Sequence, residues 1–91
     1  MQDFQPPLQA QAQGGFCQDG NTEVHGRAIH YKVCAYFSGF YRLRYKCRAT
    51  DVATGISVEV KEFKSGQGAV EHAIQLLIQT LVERGIISPP Q

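Results

Sequence analysis

Apolar and polar residues alternate strictly along the middle of the chain. Ile29, Tyr31, Val33, Ala35 and Phe37 fall on one face of an extended segment, and His30, Lys32, Cys34 and Tyr36 fall on the other. Ser38-Gly39 breaks the run. A second alternating segment then places Tyr41, Leu43, Tyr45, Cys47 and Ala49 on one face and Arg42, Arg44, Lys46 and Arg48 on the other. After Asp51-Val52-Ala53-Thr54-Gly55, a turn signal with Asp to open it and Gly to close it, a third segment sets Ile56, Val58 and Val60 inward. Ser57, Glu59, Lys61 and Phe63 would then face outward, with Glu62 the residue that breaks the alternation.

The turns suggest registers. A three-residue loop of Phe37-Ser38-Gly39, with Gly39 left-handed, pairs Tyr36 with Phe40, Val33 with Leu43 and Tyr31 with Tyr45. A four-residue second loop pairs Ala49 with Ile56 and brings Lys46 opposite Glu59. From about Gly68 to Arg84 the period changes to that of a helix, with Val70, Ala73, Ile74, Leu77, Ile78, Leu81 and Val82 as its apolar stripe. Ser65 can cap its start and Gly85 its end, and Pro89-Pro90 forbids continuation. One apolar sheet face and one apolar helix stripe should cover each other. The expected fold is therefore α+β: a three-stranded antiparallel meander packed on one C-terminal helix, β-β-β-α, over residues 27–88.

Residues 1–26 read as a flexible arm rich in Gln, Pro and Gly, mobile up to about Asn21, and 89–91 as a tail. The three cysteines, Cys17, Cys34 and Cys47, are odd in number and irregular in spacing, so they read as free thiols. No apolar stretch approaches the roughly 18 residues of a membrane span, and no signal-peptide layout is present, so no membrane role and a cytoplasmic location are expected.

Charge adds the main functional clue. The net charge is only +1, but between Arg27 and Thr50 stand six basic residues and no acid. Arg42, Arg44, Lys46 and Arg48 repeat every second residue on the expected middle strand, flanked by His30, Lys32 and Lys61 on the same face and by Tyr36, Phe40 and Phe63 toward one end. Like charges along one strand face repel, a cost that phosphates would remove, while nearby aromatics could pack on sugars or bases. Other chemistry finds less support. Cys17, His25, His30 and Cys34 match no usual zinc spacing. His30 and Cys34 would lie roughly 13 Å apart along a strand, too far for a nucleophile and its base. Gly66 and Gly68 precede a helix start but form no nucleotide-binding loop. No cofactor, metal or catalytic residue is assigned.

The stretch from Tyr31 to Leu77 resembles a known layout: two strands joined at the aromatic-flanked Gly39, a third ending in Phe63, a short loop with Ser65 and an alanine-containing helix start at Ala69. It is similar to the DNA-binding domain of plant ethylene-response factors and to the arm-binding domain of tyrosine integrases. The resemblance implies a sheet face laid in the DNA major groove, with Lys32, Arg42, Arg44, Lys46 and Lys61 as the reading residues. The sheet-then-helix order also resembles the second half of double-stranded RNA-binding domains. Small inhibitors encoded by phages and mobile elements, such as anti-CRISPR proteins, are similar in size and architecture.

The expectation is a non-enzymatic nucleic-acid-binding module, DNA ahead of RNA, using His30, Lys32, Tyr36, Phe40, Arg42, Arg44, Lys46, Arg48 and Lys61. The alternative is a protein-interaction module or inhibitor that presents the same face, or an edge strand, to an acidic protein partner. Glu59 on that face weighs toward the alternative, and a homodimer through the edge of the first strand is compatible with the pattern.

Overall fold

A computed structural model describes residues 15–39 and 41–89. Four strands run in order β1 (Gly15–Val24), β2 (Arg27–Phe37), β3 (Leu43–Asp51) and β4 (Ser57–Phe63), followed by helix α1 (Gly66–Glu83). They form one antiparallel meander with spatial order β1-β2-β3-β4. The architecture is α+β with one C-terminal helix, as the pattern predicted, but the sheet has four strands rather than three. The extra strand occupies part of the segment expected to be mobile; the arm before Gly15 lies outside the described residues, as do Phe40, Pro90 and Gln91.

β1 exists because of a two-residue turn. His25 and Gly26 both take positive φ, 53° and 73°, as the mirror-image hairpin turn requires. The hairpin pairs all of β1 with β2, from Val24–Arg27 to Gly15–Tyr36. Gly20 lies opposite Tyr31, and a Cβ there would fall inside the Tyr31 ring, so the aromatic ring covers the glycine.

The face assignments hold for β2, for β3 and for β4 as far as Lys61, but both registers differ. β2 and β3 pair Phe37 with Leu43, Ala35 with Tyr45, Val33 with Cys47 and Tyr31 with Ala49. This register sets an alanine opposite each of the inward tyrosines, Tyr31 and Tyr45, where the expected one stacked the two on each other. Past β2 the Ser38 amide donates to the Arg42 carbonyl (2.8 Å), closing the connection to β3, and Gly39 has φ 76° as expected. Tyr41 therefore leaves the inner face for the loop, at φ 63° and 95% exposed. β3 and β4 pair Ala49 with Val58 and Thr50 with Ser57, so Arg48, not Lys46, faces Glu59.

The break at Glu62 is a β-bulge. Glu62 adopts φ 66°, the register shifts between Tyr45 and Cys47, and Phe63 comes opposite Tyr45. Phe63 thus turns inward instead of outward and lies 5.0 Å, centroid to centroid, from His72 of α1.

Ser65 caps α1, its hydroxyl accepting from the Gly68 amide at 3.0 Å. At the other end Gly85 has φ 74°; its amide donates to Val82, and the Ile86 amide reaches back to Leu81, the paired bonds of a Schellman motif. α1 lies on β3 and β4 and reaches the near side of β2, leaving β1 outside its cover. Beneath it, Ile29, Val33, Cys47, Ala49, Ala73, Leu77 and Leu81 are almost wholly buried. Leu77 sits at the centre of this stripe. Leu77→Ala should cost about 3 kcal/mol, read as a lower urea midpoint with an unchanged slope; an unchanged midpoint would place the core elsewhere.

Candidate binding face

Because the strands alternate, one whole face of the sheet turns away from α1. On it, side chains line up in rows across the strands. One row reads Asp19, Lys32, Arg48, Glu59 from β1 to β4. The next reads Cys17, Cys34, Lys46, with Lys61 beyond on β4. Tyr36 and Arg44 follow on one side, and Asn21, His30, Thr50 and Ser57 on the other.

The predicted residues do not all behave alike. Lys32, Lys46 and Lys61 are exposed and form no ion pair among the described residues. Arg48 reaches Glu59 only at 3.9 Å, with both side chains largely in solvent, a weak attraction. Arg44 is half-buried and turns a guanidinium N–H back to the Leu43 carbonyl (2.9 Å). Arg42 is exposed but lies in the loop before β3, off the strand where alternation placed it. His30 is held between Asn21 (3.1 Å) and Asp19 (3.2 Å). Phe40 lies outside the described residues.

Tyr36 departs most from its expected role. Its hydroxyl donates to the Glu62 carboxylate at 2.6 Å and accepts from the Glu62 amide at 2.9 Å, and Ser38 leans on the same carboxylate at 3.4 Å. The bond to Glu62, and then burial, hold the phenol above its ordinary pKa. Lys46 Nζ lies 5.7 Å from the ring centroid, within cation–π range. Tyr36 is therefore a fixed strut from β2 to the β4 bulge rather than a free stacking platform. Among the described residues the exposed aromatics are Tyr41 in the loop and Phe37, 50% exposed, at the end of β2. Sequence reasoning missed Tyr41 because it placed that residue within a strand.

The cysteines also differ from expectation. Cys17 and Cys34 are not free thiols but form a disulfide linking β1 to β2 on this outer face. Cys47 stays free and buried on the opposite side, where burial pushes its thiol up to about 11. Disulfides belong to oxidising surroundings, so cysteine usage no longer favours a reducing compartment. Among the described residues no helix is long and apolar enough to cross a membrane, and no His, Cys, Asp or Glu cluster could hold a metal.

Around the disulfide the face dips into an open depression of about 320 Å³ lined by Cys17, Cys34, Lys32, Lys46, Arg48 and Glu59. Three cations and one acid thus surround it. The edge of the predicted first strand, proposed above for self-association, is taken by β1, and the sheet's edges are β1 and β4. Comparison with protein-family models, curated proteins and solved structures finds no match to this chain.

Proposed function

We propose that this protein is a non-enzymatic nucleic-acid-binding module, DNA ahead of RNA, whose outer sheet face tracks a phosphate backbone. The observation that carries the reading is the convergence of Lys32, Lys46 and Arg48 on one depression, with Lys61 beside them and Arg44 one row away. Their Cα positions are fixed by paired strands, so binding phosphates costs little ordering of the scaffold. Asp19 on β1 and Glu59 and Glu62 on β4 border the cations on both sides. That leaves a positive stripe over β2 and β3, roughly 10 Å across for two strands and their margins, a width suited to one phosphodiester backbone. Tyr41, in the loop at the end of the stripe, offers a ring for sugars or bases.

The same bordering acids support a second reading, a protein-interaction module or small inhibitor of the kind phages and mobile elements encode. A partner with interleaved charges would match Asp19, Lys32, Arg48 and Glu59 in register.

Titration against labelled duplex DNA, single-stranded DNA and RNA at two salt concentrations separates the two. The nucleic-acid reading expects binding that weakens with salt. In Lys46→Gln/Arg48→Gln the slope of log K against log salt should shrink by about 1.4 to 1.8, the loss of two phosphate contacts. Absence of binding to all three, with the variant's circular dichroism unchanged, would leave the protein-partner reading standing.

A further inference from the structure

The disulfide lies where a structural cross-link has no need of surrounding charge. Cys17 is exposed, Cys34 is 8% exposed, and both line the depression that Lys32, Lys46 and Arg48 also line. Cations beside a sulfur stabilise its thiolate, which makes it a better leaving group in thiol–disulfide exchange. The same cations attract a carboxylate-bearing reagent. Glu59, the one acid in the lining, is drawn to Arg48, and Asp19 is held by His30.

We infer that Cys17–Cys34 is a thiol-exchange site for small thiols that carry carboxylates. The thiolate of such a molecule attacks the more exposed Cys17 sulfur. Its electron pair forms the new sulfur–sulfur bond, the Cys17–Cys34 bond breaks, and the displaced pair leaves on Cys34 as a thiolate among the cations. The product is a mixed disulfide on Cys17, with the carboxylates of the adduct on Lys32, Lys46 or Arg48. A second thiolate then attacks the adduct's own sulfur, releasing the oxidised thiol dimer and leaving both cysteines reduced. The net change is a two-electron reduction of the protein with oxidation of two small thiols. Buried Cys47 takes no part.

The site shares cations with the proposed phosphate stripe, yet it stands without that reading, and its test contains no nucleic acid. The full-length oxidised protein is treated with glutathione, which is anionic, 2-mercaptoethanol, which is neutral, and cysteamine, which is cationic. Acid quenching, intact mass and peptide mapping follow the adduct, with rates normalised to thiolate concentration. Glutathione should react about tenfold faster than cysteamine at low ionic strength. That advantage should collapse in high salt and in Lys46→Gln/Arg48→Gln, with the first adduct on Cys17. Equal normalised rates for the three thiols, a preference unchanged in the variant, or a first adduct on Cys34 would each overturn the assignment.

Discussion

Asp51→Ala should cost about 2 to 3 kcal/mol, the loss of hydrogen bonds to a buried charged group. The side chain of Asp51 is fully buried at the end of the inner sheet face. Its two oxygens take both arms of the Arg27 guanidinium, Nε to Oδ1 at 3.0 Å and Nη2 to Oδ2 at 2.9 Å. Oδ2 also accepts from the Thr54 hydroxyl (2.6 Å) and amide (3.2 Å), which shapes the β3–β4 turn. One carboxylate therefore ties the start of β2 to the end of β3 and orders the following loop. Native domains have total stabilities of about 5 to 15 kcal/mol, so the loss should remove a substantial share of the total. Chemical denaturation checks this, and a midpoint near that of the native protein would show the network to be dispensable. Acid adds a second readout. The Arg27 hydrogen bonds, with those of Thr54, outweigh burial and lower the Asp51 carboxyl from 3.8 to about 2. A folded-state value below the unfolded one gives stability that is fully present above about pH 4 and is lost as pH falls toward 2. The native midpoint should fall through that window, and Asp51→Asn, with no carboxyl at this position to protonate, should lose less across it.

That ion pair also shows what alternation can and cannot determine. Alternation sorted β2, β3 and most of β4 onto the correct faces because side-chain direction depends only on odd or even position. Both observed registers differ from the expected ones by an even number of residues, so the faces survived between the β2–β3 loop and the Glu62 bulge while every cross-strand partner changed. Choosing among registers of one parity takes packing information: tyrosines opposite alanines, and Arg27 within reach of Asp51. Glu62 was visible as a fault in the pattern, but its bulge, its bond to Tyr36 and the inward turn of Phe63 follow from three-dimensional pairing. Of the candidate face, Lys32, Lys46, Arg48 and Lys61 were legible from alternation. Asp19 was not, because β1 was not. The inward positions of β1, Phe16, Gln18, Gly20, Thr22 and Val24, alternate too weakly to signal a strand, and His25-Gly26 lacks the Asn or Asp that usually marks its turn. One signal was available: Cys17 and Cys34 stand at equal distances on either side of His25-Gly26, as a hairpin pairing requires.

β1 is consequently the element whose attachment depends most on covalent help. It is an edge strand, α1 does not cover it, and it gives the core cluster two hydrophobic side chains, Phe16 and Val24. Its hydrogen bonds to β2 are numerous, but a hairpin not backed by a hydrophobic layer is marginal in water. The Cys17–Cys34 link closes a loop with a sequence separation of 17, for which the chain-entropy estimate is about 3 kcal/mol. Reduction should therefore release β1 locally rather than unfold the domain, because β2, β3, β4 and α1 keep their shared core. Hydrogen exchange on the reduced protein should show β1 amides losing protection by about two orders of magnitude, with β3 and α1 close to their oxidised values. Cys17→Ser/Cys34→Ser should give the same map without a reductant. Uniform loss of protection throughout the chain would mean that β1 is integral to the core. Retained protection in β1 would mean that backbone pairing with β2 holds the strand without the disulfide. The expected result, a released β1 on an intact three-stranded remainder, would also remove Asp19 from the edge of the basic stripe and widen it toward β2.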